Sequence, residues 1–123
     1  MSISTVTRYL SDSDGIAVNG QSANASGGEI LVADPGAGYK IVIDFLYINC
    51  AADESISMRE DTTVILGPIV FKAAGDHFWK HQYADKMTGK GGLLLTANKE
   101  LQVLGASTGA VQVYCEYRIL KEA

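Results

Sequence analysis

Hydrophobic and polar residues alternate along much of this chain with the two-residue period of β-strands. The clearest alternation lies in residues 110–120, where one set of side chains is apolar and the other is mostly polar. The apolar set is Val111, Val113, Cys115, Tyr117 and Ile119, and the other set is Ala110, Gln112, Tyr114, Glu116 and Arg118. This pattern predicts a strand with one face on a hydrophobic core.

A second long segment, residues 39–50, is apolar in both of its alternating sets. Such a segment is typical of a central strand that is covered on both faces for part of its length. β-branched and aromatic residues dominate it, which favours a strand over a helix. Asp44 interrupts one face, and we expect that it either points to solvent or pairs with a basic residue.

Shorter strands separated by turn residues complete the pattern. Pro68 indicates an edge strand, a bulge or a strand start, because proline donates no hydrogen bond to a ladder. The further strands are predicted at residues 29–33, 55–60, 63–66 continuing to 69–71, 77–83, 93–96 and 100–104. About eight strands without a helix are typical of a β-sandwich or small barrel. We predict an all-β fold, an antiparallel jelly-roll-like β-sandwich over residues 28–123.

Residues 1–27 differ from the rest, since Ser, Thr, Asn, Asp, Gly and Ala dominate them. Segments of this composition bury little surface and do not offset their ordering entropy alone. One interpretation is a mobile tail, and the other is an extended arm that adds to a sheet edge of a neighbouring subunit. The apolar anchors for such a contact are Ile3, Val6, Tyr9, Leu10, Ile16 and Val18.

The length of 123 residues supports one domain, and its net charge is −4. The ten Lys and Arg residues are scattered along the chain, so we expect no nucleic-acid partner. No apolar run is long enough to cross a bilayer, and the first residues lack the pattern of a signal peptide. We therefore expect no membrane partner and a chain that stays in the cell that makes it.

Residues with catalytic or metal-binding potential are few. Cys50 and Cys115 are expected to be buried and reduced. A disulfide between them is the alternative if their strands adjoin. His77 and His81 lie four residues apart, which is about 13 Å on a strand and too far for one metal ion. No Ser/His/Asp or Cys/His set is present. We expect no catalytic residues, no metal, no cofactor and no enzymatic activity.

An aromatic segment provides the other candidate contact. His77, Trp79, His81 and Tyr83 alternate with other residues and share one side of their predicted strand. Aromatic side chains are enriched at interfaces as rigid anchors. We interpret this side as a protein contact, with a carbohydrate platform and ordinary core packing as the alternatives.

Several motifs follow one another over residues 28–120. They are Gly-Glu-Ile-Leu-Val-Ala from Gly28, Lys-Ile-Val-Ile-Asp-Phe from Lys40, Leu-Gly-Pro-Ile from Leu66, Ala-Asn-Lys-Glu-Leu-Gln-Val from Ala97 and Val-Gln-Val-Tyr-Cys-Glu-Tyr from Val111. This order resembles the capsid decoration, or cement, proteins of tailed bacteriophages, which are small jelly-roll β-sandwiches.

The resemblance implies a structural virion protein that is made in the host cytoplasm and binds the outside of a phage capsid. It would cement neighbouring major capsid proteins and associate with itself, as a homotrimer rather than a dimer. One alternative is a receptor- or glycan-binding β-sandwich module of a phage head or tail fibre, which would use the face of Trp79. A second alternative is a cupin-like enzyme.

Overall fold

The computed structural model describes residues 3–9, 15–72, 77–81, 93–107 and 109–121, which form ten β-strands and no helix. The strands are β1 (Ser4–Tyr9), β2 (Ile16–Ser22), β3 (Glu29–Val32), β4 (Tyr39–Cys50), β5 (Glu54–Glu60), β6 (Thr63–Phe71), β7 (His77–His81), β8 (Leu93–Leu94), β9 (Leu101–Gly105) and β10 (Val111–Lys121). Accordingly, these ranges contain no helix of the length and apolarity that a membrane crossing requires.

The strands form two antiparallel sheets. The larger sheet has the order β1-β2-β10-β4-β7, and β8 pairs with β4 beyond the end of β7. The smaller sheet has the order β3-β9-β5-β6. One hydrophobic core contains residues from both sheets, so the predicted all-β, jelly-roll-like sandwich is confirmed. The two longest predicted strands are neighbours in the middle of the larger sheet.

Alternation along β10 builds the larger sheet's half of the core. Val111, Val113, Cys115 and Tyr117 are all buried, as their pattern predicted, whereas Ile119 near the strand end is exposed. In the smaller sheet, the core positions include Ile56, Met58 and Val103, which are fully buried. The space between the two sheets is therefore filled by aliphatic side chains, which pack at crystal-like density.

A β-bulge at Asp44 reverses the alternation of β4. Ile43 lies opposite Tyr117 and Phe45 lies opposite Glu116, so Asp44 is an extra residue in β4. Before the bulge, Ile41 and Ile43 face the core. After it, the core residues are Leu46, Ile48 and Cys50. This reversal explains why both alternating sets of the segment contain apolar residues.

A second bulge lies in β6, an edge strand of the smaller sheet. Gly67 and Pro68 together occupy the place opposite Ser57. Gly67 has a φ of +105°, and a Cβ atom there would lie 2.8 Å from the carbonyl oxygen of Ile56. Glycine is therefore required by both conformation and space. The prediction of an edge strand or bulge at Pro68 is confirmed.

The N-terminal segment differs from the predicted arm. β2 lies inside the larger sheet, between β1 and β10, and Val18 is only 1% exposed. At Gly20 a Cβ atom would lie within 3 Å of side-chain atoms of both Ile3 and Leu31, so these two residues pack over the glycine. β1 adds to the edge of this chain's own β2. A domain boundary at residue 28 is thus corrected, since residues 16–22 belong to the sandwich.

Cys50 and Cys115 are buried free thiols. Their strands adjoin, but Cys115 lies opposite Leu46, four residues from Cys50 along β4. The offset of about 13 Å is far beyond the span of a disulfide. Burial and the charge of Glu54 raise the pKa of Cys50 to about 11. Burial, with Asp44 and Glu116 nearby, raises the pKa of Cys115 further, so both thiols stay protonated at neutral pH.

Candidate ligand-binding face

The surface of the larger sheet that faces away from the smaller sheet, here called the outer face, carries polar and aromatic side chains. Residues directly opposite each other in antiparallel strands point to the same face. The register of β1, β2, β10 and β4 therefore arranges the outward side chains in rows that cross the sheet.

The first row, here called the amide row, contains three carboxamides on three neighbouring strands. Gln21 of β2 lies opposite Gln112 of β10, which lies opposite Asn49 of β4. Ser4 of β1 continues the row beyond Gln21. Each carboxamide both donates and accepts hydrogen bonds. The row therefore suits a ligand whose polar groups also do both.

The second row, here called the tyrosine row, lies two residues further along each strand. Asn19 of β2 lies opposite Tyr114 of β10, which lies opposite Tyr47 of β4. Val6 continues the row on β1. Asn19 and both tyrosines are half-buried, so the row offers flat apolar surface with polar tips.

Side-chain contacts join successive rows. The Nε2 of Gln112 donates to Asn19 Oδ1 at 3.2 Å, which links the amide row to the tyrosine row. The hydroxyl of Tyr114 donates to Glu116 Oε2 at 2.8 Å, and the Tyr114 ring packs edge-on against Phe45 at 5.9 Å. Groups held in this way lose little conformational entropy on binding, so the face is preorganised for a ligand.

An ion pair fixes the sheet next to these rows. Arg118 donates through Nε to Asp44 Oδ2 at 2.8 Å and through Nη2 to Oδ1 at 3.1 Å. Arg118 is buried and Asp44 is largely buried. Of the two alternatives for Asp44, the structure shows the pairing with a basic residue. The bidentate geometry holds the bulge that turns Phe45 and Tyr47 to the outer face.

A groove of about 630 Å³ lies at the end of the outer face. The amide row forms one side of it, together with Ser4. Its lining is completed, where β2 and β4 end and β10 begins, by Ser22, Ala23, Ala51, Ala110 and Val111. The volume falls in the range of small-molecule sites, which is roughly 300–1,000 Å³.

The predicted aromatic contact includes β7, the strand next to β4 in the larger sheet. In β7, His77 pairs with Asn49, Trp79 with Tyr47 and His81 with Phe45. These backbone positions continue the strand register beyond β4. Tyr83 lies outside the described residues. The contact itself stays a prediction.

The predicted N-terminal contacts are in different environments. Val6 is 56% exposed on the tyrosine row, and Tyr9 is 84% exposed at the end of β1. Ile3 and Ile16 are half-buried against the core, and Val18 belongs to the core of this chain. Leu10 lies outside the described residues. Of this set, only Val6 joins the candidate face.

Candidate metal ligands and nucleophiles bear on the alternative of a cupin-like enzyme. Among the described residues, no group of three or more His, Cys, Asp and Glu could hold a metal ion. Among the described side chains of the larger sheet, the ionisable core positions include Cys50, Cys115 and Tyr117, and burial raises the pKa of each. Protonated thiols are poor nucleophiles and poor metal ligands.

The sequence analysis missed the central residues of the outer face. Gln112, Tyr114 and Glu116 stood out only as the non-core set of their strand, and Gln21 lies in the segment interpreted as an arm. The available signal was that Gln112 and Tyr114, an amide and an aromatic residue, are neighbours in the non-core set of their strand. Its partners on β2 and β4 are more than 60 residues away in sequence, so the rows required the register.

Comparison with known proteins shows similarity at the level of the fold. No family model matches the sequence, and no curated protein matches it. A cupin 2 conserved barrel domain protein from Salinispora arenicola has a TM-score of 0.42 and 10% identity, covering 94% of this chain and 75% of that one. The cupin domain of Cnp3 from Schizosaccharomyces pombe has a TM-score of 0.44 and 10% identity, covering 94% of this chain and 64% of that one.

These structures are cupin domains and not capsid decoration proteins, and this finding contradicts the interpretation as a capsid cement protein. That interpretation also depended on a free arm before residue 28. The segment supplies instead an internal strand of the sandwich, with Val18 in the core. A similarity of this size carries no inference about activity.

Proposed function

We propose that this protein is a non-enzymatic carbohydrate-binding domain whose ligand lies on the outer face of the larger sheet. The observation that carries the proposal is the adjacency of the amide row and the tyrosine row, joined by the hydrogen bond from Gln112 to Asn19.

The chemistry of sugars matches both rows. A sugar ring carries hydroxyl groups that donate and accept hydrogen bonds, which is also the capacity of Gln21, Gln112 and Asn49. The faces of the ring present C–H groups, which pack on aromatic surfaces such as those of Tyr47 and Tyr114. A site with apolar surface and a few fixed polar groups is the usual form of a small-ligand site.

The charge distribution also favours an uncharged ligand. The described side chains of the amide and tyrosine rows on β1, β2, β10 and β4 include no ionisable group other than the two phenols, and the net charge of the protein is −4. Glu116 accepts a hydrogen bond from the hydroxyl of Tyr114 and is thereby engaged in positioning that side chain. An anionic or nucleic-acid ligand would find few complementary cations here.

The test is binding of the full chain to an array of glycans, followed by calorimetry on the best neutral ligand. Tyr47→Ala should weaken binding at least about tenfold, as expected for a central aromatic contact. The matched control is Tyr39→Ala, an exposed tyrosine roughly 25 Å away on the same strand, which should bind like the wild type. If the wild type binds no glycan, or both variants bind equally well, the proposal is wrong.

Trp79→Ala extends the same experiment to β7, because Trp79 lies opposite Tyr47 in the register. We expect weaker binding of ligands long enough to span β4 and β7, and unchanged binding of shorter ones. Metal analysis of the purified protein tests the remaining alternative, a cupin-like enzyme. A stoichiometric metal ion would favour that alternative over the proposed binding domain.

A further inference from the structure

We infer that the groove at the end of the outer face binds the terminal residue of an uncharged glycan chain. This inference rests on the proposed function and adds to it a ligand class and a direction. The chain would run from the tyrosine row to the amide row and end in the groove.

The lining of the groove selects for an uncharged ligand. None of the described residues that line it is charged, although 20% of all residues in the protein are. Its polar side chains are Ser4, Ser22 and the three carboxamides of the amide row. A carboxylate or phosphate placed here would lose its hydration without meeting a cation, which is costly. Hydroxyl groups, in contrast, find both donors and acceptors.

The spacing of the carboxamides suits one sugar ring. Neighbouring strands in a sheet lie about 4.8 Å apart, so adjacent members of the amide row can contact the same six-membered ring. The Nε2 of Gln112 points to Asn19, so its Oε1, on the other branch of the planar carboxamide, points away from Asn19. Gln112 thus connects the two rows while its oxygen stays available in a fixed orientation.

The rim of the groove lies at the end of the outer face. Ala51 N donates to the carbonyl oxygen of Ala110 at 3.2 Å, which ties the end of β4 to the start of β10. Beside it, Asn24 N donates to Ser22 Oγ at 3.2 Å and fixes the turn after β2. On the opposite side, the amide row borders the tyrosine row without an intervening wall of side chains, since the two are successive outward positions. A chain lying on the tyrosine row therefore meets the rim after one further residue.

The small side chains of the rim provide the test. Ala23 is exposed and lines the groove, so Ala23→Trp should fill it without disturbing the core. The matched control is Ala33→Trp, an equally exposed alanine just after β3 in the smaller sheet. With a neutral oligosaccharide identified on the array, we expect Ala23→Trp to weaken binding at least about tenfold and Ala33→Trp to leave it within about twofold.

Modified forms of the ligand provide a second test. The same oligosaccharide is measured with a bulky substituent on its reducing end and, separately, on its non-reducing end. Blocking one of the two ends should abolish most of the affinity, and a carboxylate on that terminal residue should weaken binding at least about tenfold. Equal binding of both blocked chains, or unchanged binding of the carboxylate, would overturn the inference.

The outcomes separate the two proposals. If Tyr47→Ala loses binding while Ala23→Trp binds like the wild type, the groove is not the site, but the carbohydrate-binding function stands. If the wild type binds no glycan, the proposed function fails and the inference fails with it. If Ala23→Trp and one blocked end both lose binding, the terminal residue lies in the groove.

Discussion

Glu54 is a buried carboxylate at the start of β5 that organises the loop between β9 and β10. Its Oε1 accepts hydrogen bonds from the backbone N–H of Ser55 and Ser107, at 2.9 and 3.0 Å. Its Oε2 accepts from the Ser107 hydroxyl and the Gly109 N–H, each at 3.0 Å. Burial by itself raises the pKa of Glu54, but these four donors stabilise the carboxylate, and the pKa lies below its ordinary value of 4.5.

We expect Glu54→Gln to lower the free energy of unfolding at pH 7 by about 2–3 kcal/mol, because an amide nitrogen would face backbone donors. The folded-state pKa lies below the unfolded-state value, so the contribution of the carboxylate is complete above pH 4.5 and declines as the pH falls through the folded-state pKa. Urea unfolding across this range should show the difference between variant and wild type shrinking in acid. Glu29→Gln, at a half-exposed position of β3, is the control. A difference that does not vary with pH would contradict this role.

A second prediction concerns the contribution of the Asp44–Arg118 ion pair to stability. Asp44→Ala leaves the buried Arg118 guanidinium without its partner, which should cost about 3–5 kcal/mol of unfolding free energy. Replacing both, in Asp44→Leu with Arg118→Met, removes the charges together and should restore most of that loss. Urea unfolding of the wild type, both single variants and the double variant measures the coupling. Strictly additive effects would show that the pair does not stabilise the bulge.

At the scale of elements, β1 and β2 contribute differently to the sandwich. All residues of β1 are exposed, and the strand pairs only with β2 among the described strands. β2 has neighbours on both sides, and Ala17 and Val18 are buried. The two strands should therefore differ in how far the fold depends on them.

We expect deletion of residues 1–9 to leave a folded protein with an unfolding free energy lower by about 1–3 kcal/mol, mainly through the lost packing of Ile3. Deletion of residues 1–27 also removes an internal strand, and we expect this variant to lose cooperative unfolding. Circular dichroism during thermal and urea unfolding distinguishes the two. A stable, cooperative fold after the longer deletion would support a dispensable arm.

The sequence predicted the strands with strong patterns and failed where packing is unusual. β4 was predicted with its observed limits, and β10 within one residue at each end, because long β-branched and aromatic segments determine them. β2 was missed because its core-facing positions include Gly20 and Ser22. Gly20 is covered by side chains from Ile3 and Leu31, which only the tertiary structure reveals.

The candidate site was less predictable than the fold. The bulge at Asp44 places Phe45, Tyr47 and Asn49 on the outer face, although unbroken alternation from Ile41 would turn them to the core. Their partners on β2 and β10 follow from strand pairing, which a single sequence does not specify. The sequence singled out Val6, as a predicted N-terminal contact, and the aromatic segment of β7 that pairs with β4 in the register.

At the scale of the whole molecule, the larger sheet is wider than the smaller one and carries the candidate face. This sheet combines strands from the beginning, middle and end of the chain, in the order β1-β2-β10-β4-β7. Pairings between such distant segments form slowly compared with local ones, because loop closure precedes the stabilising contacts. The face is therefore complete only when nearly the entire chain has folded.

The amide row shows what this arrangement means for any ligand. Its carboxamides at positions 21, 49 and 112 are brought together by three strands, so no fragment of the chain can display the row. Occupancy of the row is thus thermodynamically coupled to global unfolding, and a ligand at one hundred times its Kd would add about 2.7 kcal/mol to the stability of the native state. Recognition and resistance to unfolding are then two readouts of one equilibrium, and a rise in Tm with ligand concentration reports on both.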